Sequence, residues 1–157
     1  MKENRVRRAI MTGVVATIVM TIMMYLAPVM GMPKMDIAAM LGKFVMDEPA
    51  PTGSTPWTVG MLIHLINGAI FFPLVYAFVF SPQLSWQPWV KGLFFGLVLW
   101  FASQLIVMPM MGAGAFSTET SQPGLMVIGS LFGHIVYGVL LGALLGDPIV
   151  KETAARN

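Results

Sequence analysis

The charged residues of this sequence lie at the ends of four long stretches that contain no Asp, Glu, Lys or Arg. These uncharged stretches cover residues 9–33, 49–90, 92–118 and 120–146. A helix that crosses the hydrocarbon core of a bilayer needs about 20 mainly apolar residues, and each stretch is long enough for one. Because backbone polar groups in lipid must bond within their own segment, helices suit these stretches. The sequence therefore predicts four transmembrane helices, at about 9–28, 57–80, 90–111 and 124–146.

The composition favours an all-α membrane protein whose single domain, residues 1–157, is a four-transmembrane-helix bundle. Apolar residues make up 57% of the chain and charged residues 10%, and the mean hydropathy is +0.78. Soluble domains carry about 25% charged residues, so this chain has too few to cover a soluble surface. The chain has no cysteine, which excludes disulfides, thiolate-bound metals and iron–sulfur clusters. No basic run suggests binding to nucleic acid.

Lysine and arginine are distributed unequally between the two ends of the predicted helices. If both termini are cytoplasmic, Lys34 and Lys43 lie on the outer side. The cytoplasmic side then holds Lys2, Arg5, Arg7, Arg8, Lys91, Lys151 and Arg156. Because cytoplasmic loops of membrane proteins are enriched in these residue types, we expect a multi-pass protein of the bacterial inner (plasma) membrane with both termini in the cytoplasm.

The outer segment between the first two spans contains one helical pattern. The apolar residues Ile37, Met40, Leu41, Phe44 and Val45 follow the i, i+3, i+4, i+7, i+8 spacing of one helix face. Asp36 stands where a helix N-cap is expected. We therefore expect a short amphipathic helix at about 35–46, which lies at the outer interface or closes the mouth of the bundle.

The second half of the chain partly repeats the first. The sequence PVMG at 28–31 matches PMMG at 109–112, and His64 with Gly68 matches His134 with Gly138. Each half would contain two spans, so both halves would have the same orientation in the membrane. The matches suggest a parallel two-hairpin repeat about an axis along the membrane normal.

Each predicted span carries small or polar residues at every fourth position, which places them on one helix face. The four stripes are Gly13, Thr17, Thr21, Tyr25; Gly60, His64, Gly68; Gly92, Gly96, Trp100, Gln104; and Ser130, His134, Gly138, Gly142, Gly146. Membrane helices associate through close backbone contact at small residues and through polar bridges. We therefore expect the stripes to face one another and the bulky apolar residues to face lipid.

The predicted spans contain two histidines, His64 and His134, at similar depth in the outer half of the bilayer. Asn67, Ser103 and Gln104 lie at comparable depth, so the five side chains form a predicted polar layer. Ionisable side chains inside a membrane are rare and usually face the bundle interior. One interpretation is structural, with neutral histidines that bond a neighbouring helix and fix the helix register.

A second interpretation makes His64 and His134 the axial ligands of a b-type haem, since two facing helices can each supply one imidazole. Gly60 and Gly68 flank His64 at four residues on either side, and Gly138 flanks His134 in the same way. Such glycines would let a porphyrin edge approach the helix backbone. Helix packing explains the same glycines equally well. These residues are the candidate cofactor-binding set, with the two histidines as the candidate metal ligands.

A third interpretation is membrane transport of copper or of a small solute through the polar layer. Methionines gather near the outer ends of the first and third spans: Met30, Met32, Met35, Met108, Met110 and Met111. Thioethers suit Cu(I), although methionine is also a common apolar filler. The sequence contains no hydrolase, metalloprotease or nucleotide-binding motif, so we predict no catalytic residues and no enzyme activity.

The last span carries the pattern G-H-x-x-Y-G-x-x-L-G, formed by Gly133, His134, Tyr137, Gly138, Leu141 and Gly142. With the segment MGMPKMDIAAMLG at 30–42, this pattern resembles uncharacterised families of small four-helix bacterial inner-membrane proteins. The resemblance covers most of the chain and implies a domain of unknown function. It brings no catalytic residue with it.

A small chain with little soluble mass and many glycine-faced helices is typical of a subunit within a larger complex. We therefore expect a non-enzymatic accessory or scaffold subunit of a membrane assembly, of respiratory or electron-transfer type. Its expected partners are membrane lipids and other membrane-protein subunits.

Overall fold

The computed structural model describes residues 2–146, and this part of the chain folds into five helices. Their bounds are α1 Lys2–Leu26, α2 Ile37–Met46, α3 Thr55–Gln83, α4 Pro88–Met110 and α5 Pro123–Leu145. A 3₁₀ turn at Ala27–Met30 extends α1. Helices α1, α3, α4 and α5 are long and apolar enough to cross a membrane. The predicted all-α fold with four spans and one short outer helix is thus confirmed.

The observed helices differ from the predicted ranges mainly at the start of α1. We expected this span to begin at residue 9, but the helix begins at Lys2 and includes the arginines. Arginine is a good helix former, and its long side chain reaches out of the hydrocarbon toward water, so the charges do not end the helix. The other helix ends lie within about three residues of the predictions, a normal uncertainty for helix boundaries. Lys151 and Arg156, used for the predicted orientation, lie outside the described residues.

Helix α1 packs on both α3 and α5, α5 also packs on α4, and α4 contacts α3 through the Phe95 and Tyr76 rings. At one end of the bundle, Arg5 donates a hydrogen bond to the Ala77 carbonyl of α3. Arg8 donates to the Leu145 carbonyl at the end of α5, with an N···O distance of 2.6 Å. The start of α1 and the ends of α3 and α5 therefore meet at one end of the bundle, which we call the arginine end. Helix α2 lies at the opposite end, called the α2 end.

Helices α4 and α5 contact each other through backbone atoms at glycines. A Cβ added to Gly92 would collide with the Gly138 carbonyl, and a Cβ on Gly138 would collide with the Gly92 carbonyl. Gly96 is equally close to the His134 carbonyl, and Gly142 to the Pro88 carbonyl. Such close approach gives the van der Waals contact that drives association in lipid. The stripes predicted for these two helices do face each other.

A second close contact joins α1 and α3. A Cβ on Gly13 would collide with the Pro73 ring and would lie 2.7 Å from the Ala69 carbonyl oxygen. A Cβ on Gly68 would lie 2.5 Å from the Thr17 hydroxyl oxygen. The first stripe is buried at Gly13 and Thr17 but not throughout, since Tyr25 remains 40% exposed. Tyr25 lies beside Asp36 and Trp57 at the α2 end. We expected Tyr25 in the core of the bundle, but it lies at the rim.

Helix α2 is fixed against the start of α3 by a carboxylate and by small residues. Asp36 caps α2 by accepting a hydrogen bond from the Ala39 amide (3.0 Å), and it also accepts one from the Trp57 indole (3.1 Å). The backbone of Ala38 and Gly42 meets Gly60 of α3 so closely that a Cβ on Gly60 would collide with it. The predicted cap at Asp36 is therefore confirmed.

The apolar stripe of α2 is not the side that packs on the bundle. Phe44 and Val45 are 48% and 54% exposed, whereas Ala38 is fully buried. Only small residues allow the backbones of α2 and α3 to approach, so the bulky stripe lies beside this contact, with Ile37, Met40 and Leu41 half-buried. Gly60 thus contacts α2, rather than another membrane-spanning helix as we expected.

The ends of α1 and α4 that lie at the α2 end have the same hydrogen-bonding geometry. The Gly31 amide donates to the Pro28 carbonyl (3.1 Å) and the Met32 amide to the Ala27 carbonyl (3.1 Å). The Gly112 amide likewise donates to Pro109 (3.0 Å) and the next amide to Met108 (2.9 Å). Both glycines have a positive φ, +82° and +78°, as a helix-ending Schellman motif requires. The repeated Pro-x-x-Gly sequence therefore ends both helices in the same way.

Three turns of α3 and α4 are π-helical, and each precedes a proline by the same distance. The turns are Asn67–Phe71, Tyr76–Phe80 and Ser103–Val107, and Pro73, Pro82 and Pro109 lie two residues after them. In a π-turn the amide at i+5 bonds the carbonyl at i, and proline has no amide hydrogen to donate. Each proline lies five residues after a carbonyl that would accept its amide hydrogen in a continued π-turn. The carbonyls left without this amide donor are those of Gly68, Ala77 and Gln104.

Side chains from other helices supply donors to two of these carbonyls. The Tyr137 hydroxyl of α5 donates to the Gly68 carbonyl at 2.7 Å, and Arg5 of α1 donates to the Ala77 carbonyl. A carbonyl left without a donor in lipid costs several kcal/mol. The π-turns of α3 thus create sites where α1 and α5 are hydrogen-bonded to its backbone.

Candidate functional site

His64 faces α1 rather than lipid. It lies in the third turn of α3, is half-buried, and its Nε2 atom is 2.9 Å from the Thr21 hydroxyl oxygen. Thr21 is on the predicted polar stripe of α1, one turn beyond Thr17. A histidine–threonine hydrogen bond between two membrane helices fixes their relative rotation and depth. The structure therefore brings His64 into the helix interface that its spacing predicted.

His134 bonds first to its own helix. Its Nδ1 atom is 2.8 Å from the Ser130 carbonyl oxygen, one turn earlier in α5. Because a carbonyl oxygen only accepts, Nδ1 carries the proton, and Nε2 is then the lone-pair nitrogen of a neutral imidazole. The polar site thus contains His64 at the interface of α3 with α1 and His134 on α5, each held by its own hydrogen bond.

Gln104 extends this site to α4 and to the connector before α5. Its side chain is fully buried; Nε2 donates to the Ser130 hydroxyl at 3.3 Å, and Oε1 accepts from the Ser117 hydroxyl at 3.5 Å. The Ser130 hydroxyl in turn lies 3.5 Å from Nδ1 of His134. These weak bonds form a polar chain from the connector at 115–117 to His134. Because neutral amide, hydroxyl and imidazole groups make up this chain, what it offers chemically is hydrogen bonding.

Two other members of the predicted polar layer are placed differently. Ser103 donates to the Trp100 carbonyl of its own helix at 2.8 Å, and it begins the π-turn of α4. Asn67 is half-buried and begins the corresponding π-turn of α3. Both residues therefore mark the places where their helices change from α to π geometry, next to His64 and Gln104.

The three glycines predicted to flank a cofactor are each in contact with a neighbouring helix. Gly60 meets the backbone of α2, Gly68 meets the Thr17 side chain, and Gly138 meets the backbone of Gly92. The space that a porphyrin edge would need beside these glycines is filled by α1, α2 and α4. Haem binding at His64 and His134 therefore requires these helices to separate, and it stays a prediction.

The methionines near the α2 end of α1 and α4 differ widely in their surroundings. Met108 is buried, whereas Met30 and Met110 are 82% and 56% exposed. The Met32 methyl group packs toward Gly129 of α5, where an added Cβ would lie 3.1 Å from it. Within residues 2–146 there is no group of three or more His, Cys, Asp and Glu side chains suited to a metal ion. Copper transport stays a prediction.

Sequence reasoning placed Thr17 on the packing stripe of α1 but assigned no hydrogen-bonding role to Tyr137. Tyr137 supplies the hydroxyl that bonds the Gly68 carbonyl, and the proline five residues after Gly68 was the available signal. Thr17 is 1% exposed and its hydroxyl oxygen has no hydrogen-bond partner among the described residues. Its contact with Gly68 shows that it packs against α3 as a small side chain.

These features define the protein as an α-helical membrane protein with four spans and a buried polar site between them. The chain belongs to a family of unknown function, DUF6789, whose model matches residues 3–151. This membership confirms the resemblance to an uncharacterised family that the pattern around His134 suggested. Searches of the curated proteins and of the solved structures found no match.

Proposed function

We propose that this chain is a non-enzymatic accessory or scaffold subunit of a larger membrane assembly, of respiratory or electron-transfer type. The observation that supports the proposal is how the polar groups of the site use their hydrogen bonds. His64 bonds Thr21 of α1, Gln104 bonds Ser130 of α5, and Tyr137 bonds the backbone of α3. These bonds hold helices to one another and give the bundle a fixed outer surface for other subunits.

The same proposal places the protein in the bacterial inner membrane with the arginine end in the cytoplasm. Arg5, Arg7 and Arg8 lie in the first turns of α1 at that end, and Lys34 and Lys43 flank or lie in α2 at the other. The positive-inside rule supports this orientation. It puts both termini in the cytoplasm and α2 on the outer side.

Native mass spectrometry of the tagged full chain, extracted from its own membranes in two mild detergents, tests the proposed subunit role. We expect one complex of fixed stoichiometry in both detergents, heavier than the 17.1 kDa chain. The Gly124→Ala variant is the control for a substitution within a membrane-spanning helix, because a Cβ added at Gly124 has no neighbour within 4 Å. A lone monomer in both detergents would contradict the proposal.

A haem-binding electron-transfer protein is the second candidate. It is favoured by the Nδ1–Ser130 bond, which leaves Nε2 of His134 as the ligating nitrogen. A reduced-minus-oxidised spectrum of protein produced with ample haem tests this candidate. A Soret and α-band change that His64→Ala and His134→Ala abolish would support it, and a flat spectrum rejects it.

A further inference from the structure

We propose that the arginine end of α1 binds an anionic phospholipid, with the phosphate held by Arg7 and Arg8. Together with Met11 and Thr12, these two residues line a shallow, open groove on the surface of α1. Met11 lies four residues after Arg7 and Thr12 four residues after Arg8, so the four side chains lie on one side of α1. The groove thus combines two guanidinium groups with an apolar side chain at the membrane boundary.

The two guanidiniums have donors to spare. Arg8 uses one donor on the Leu145 carbonyl, which fixes its side chain beside the groove, and a guanidinium carries five. Among the described residues, no carboxylate pairs with Arg7 or Arg8, and both side chains are exposed. A guanidinium group matches the geometry of a phosphate group and binds two of its oxygens through two parallel hydrogen bonds. The groove therefore has unused donors suited to a phosphate group.

The position of the arginines in α1 also favours an anion. Arg5, Arg7 and Arg8 lie in the first two turns of this helix, where the helix dipole is already positive and cations are disfavoured. Arg5 turns away from the groove toward the Ala77 carbonyl and the Phe78 ring. Within residues 2–146, Arg7 and Arg8 form no ion pair with a carboxylate, so a bound anion would stabilise this end of α1.

An exposed apolar stripe on the same side of α1 identifies the anion as part of a lipid. Met11, Val15, Ile18 and Ile22 are 61%, 44%, 49% and 53% exposed, and their spacing of four, three and four residues keeps them on one face. Between the first and the last of them the helix rises about 16 Å, close to one leaflet of a hydrocarbon core about 30 Å thick. A free phosphate would contact only the arginines, whereas a phospholipid also covers this stripe with an acyl chain.

Native mass spectrometry of the full chain, titrated with phosphatidylglycerol or phosphatidylcholine, measures this binding. We expect tighter binding of phosphatidylglycerol, and a loss of about tenfold or more in its affinity when Arg7→Gln and Arg8→Gln are combined. The control combines Lys34→Gln with Lys43→Gln, which removes the same charge from exposed residues at the α2 end. This control should bind phosphatidylglycerol as the unchanged protein does.

Arg7→Gln alone tests the site without disturbing the bond from Arg8 to α5, and it should weaken phosphatidylglycerol binding about fivefold. Equal binding of the two lipids, or unchanged phosphatidylglycerol binding by the double arginine variant, would overturn the proposal. Glycerol phosphate is added as a soluble competitor. Displacement of the lipid by equimolar glycerol phosphate would show a free-anion site, which also overturns it.

Discussion

At the scale of single residues, the buried polar side chains act mainly as contacts between helices. His64, Gln104 and Tyr137 each bond an atom of another helix. Tyr137 differs from the other two because its partner is a carbonyl that a proline has deprived of its usual donor. Since lipid offers no replacement donor, this hydrogen bond is the polar contact most easily tested by a single substitution.

Tyr137→Phe removes the hydroxyl and keeps the ring. We expect the free energy of unfolding in detergent or bicelles to fall by about 1–2 kcal/mol, because the Gly68 carbonyl is left without a donor. Equilibrium unfolding in increasing SDS, followed by circular dichroism, measures the change. Tyr25→Phe is the matched control, since Tyr25 is 40% exposed at the rim. An equal effect of the two substitutions would show that the Tyr137 hydroxyl does not stabilise the bundle.

At the scale of elements, the glycine contacts decide which helices are neighbours. Gly138→Ala should destabilise the pair α4–α5 by about 1–3 kcal/mol, since the added methyl group meets the Gly92 backbone. Gly124→Ala lies in the same helix in open space, and it should be neutral or slightly stabilising because alanine is the better helix former. SDS unfolding of both variants measures the difference. Equal stabilities would mean that α4 and α5 are not in backbone contact at Gly138.

Several elements could be predicted from local sequence because their causes are local. The uncharged stretches predicted four spans, Asp36 predicted the start of α2, and the two Pro-x-x-Gly sequences mark the ends of α1 and α4. The side of α2 that packs on α3 could not be predicted from its apolar stripe. Helix α2 instead packs through Ala38 and Gly42, where its backbone comes close to α3. The sequence of α2 alone does not show that Gly60 lies opposite these two residues.

The candidate site could be predicted only in part for the same reason. The spacing of His64 and His134 placed both on inward faces, and the structure gives His64 an interhelical bond. Gly68 packs against Thr17 of α1 as its stripe predicted, but the bond from Tyr137 to its carbonyl was not predicted. Such partners depend on the three-dimensional arrangement of helices far apart in sequence.

At the scale of the whole molecule, the arginine end and the α2 end define two faces that labelling can distinguish. The chain has no cysteine, so a single substitution supplies the only thiol. Lys43→Cys at the α2 end should react with a membrane-impermeant maleimide in intact spheroplasts. Gln83→Cys at the arginine end should react only after the membrane is disrupted, because positively charged ends stay cytoplasmic. Both positions are exposed, so burial does not account for a difference, and the reverse pattern would invert the proposed orientation.

The most direct test of a structural role for the polar site is a double-mutant cycle on His64 and Thr21 in lipid bicelles. Unfolding free energies are measured for His64→Ala, Thr21→Val, the double variant and the unchanged chain. If the histidine holds α3 to α1, the coupling energy should be about 0.6–1.7 kcal/mol. A coupling energy of zero would contradict the structural role of His64.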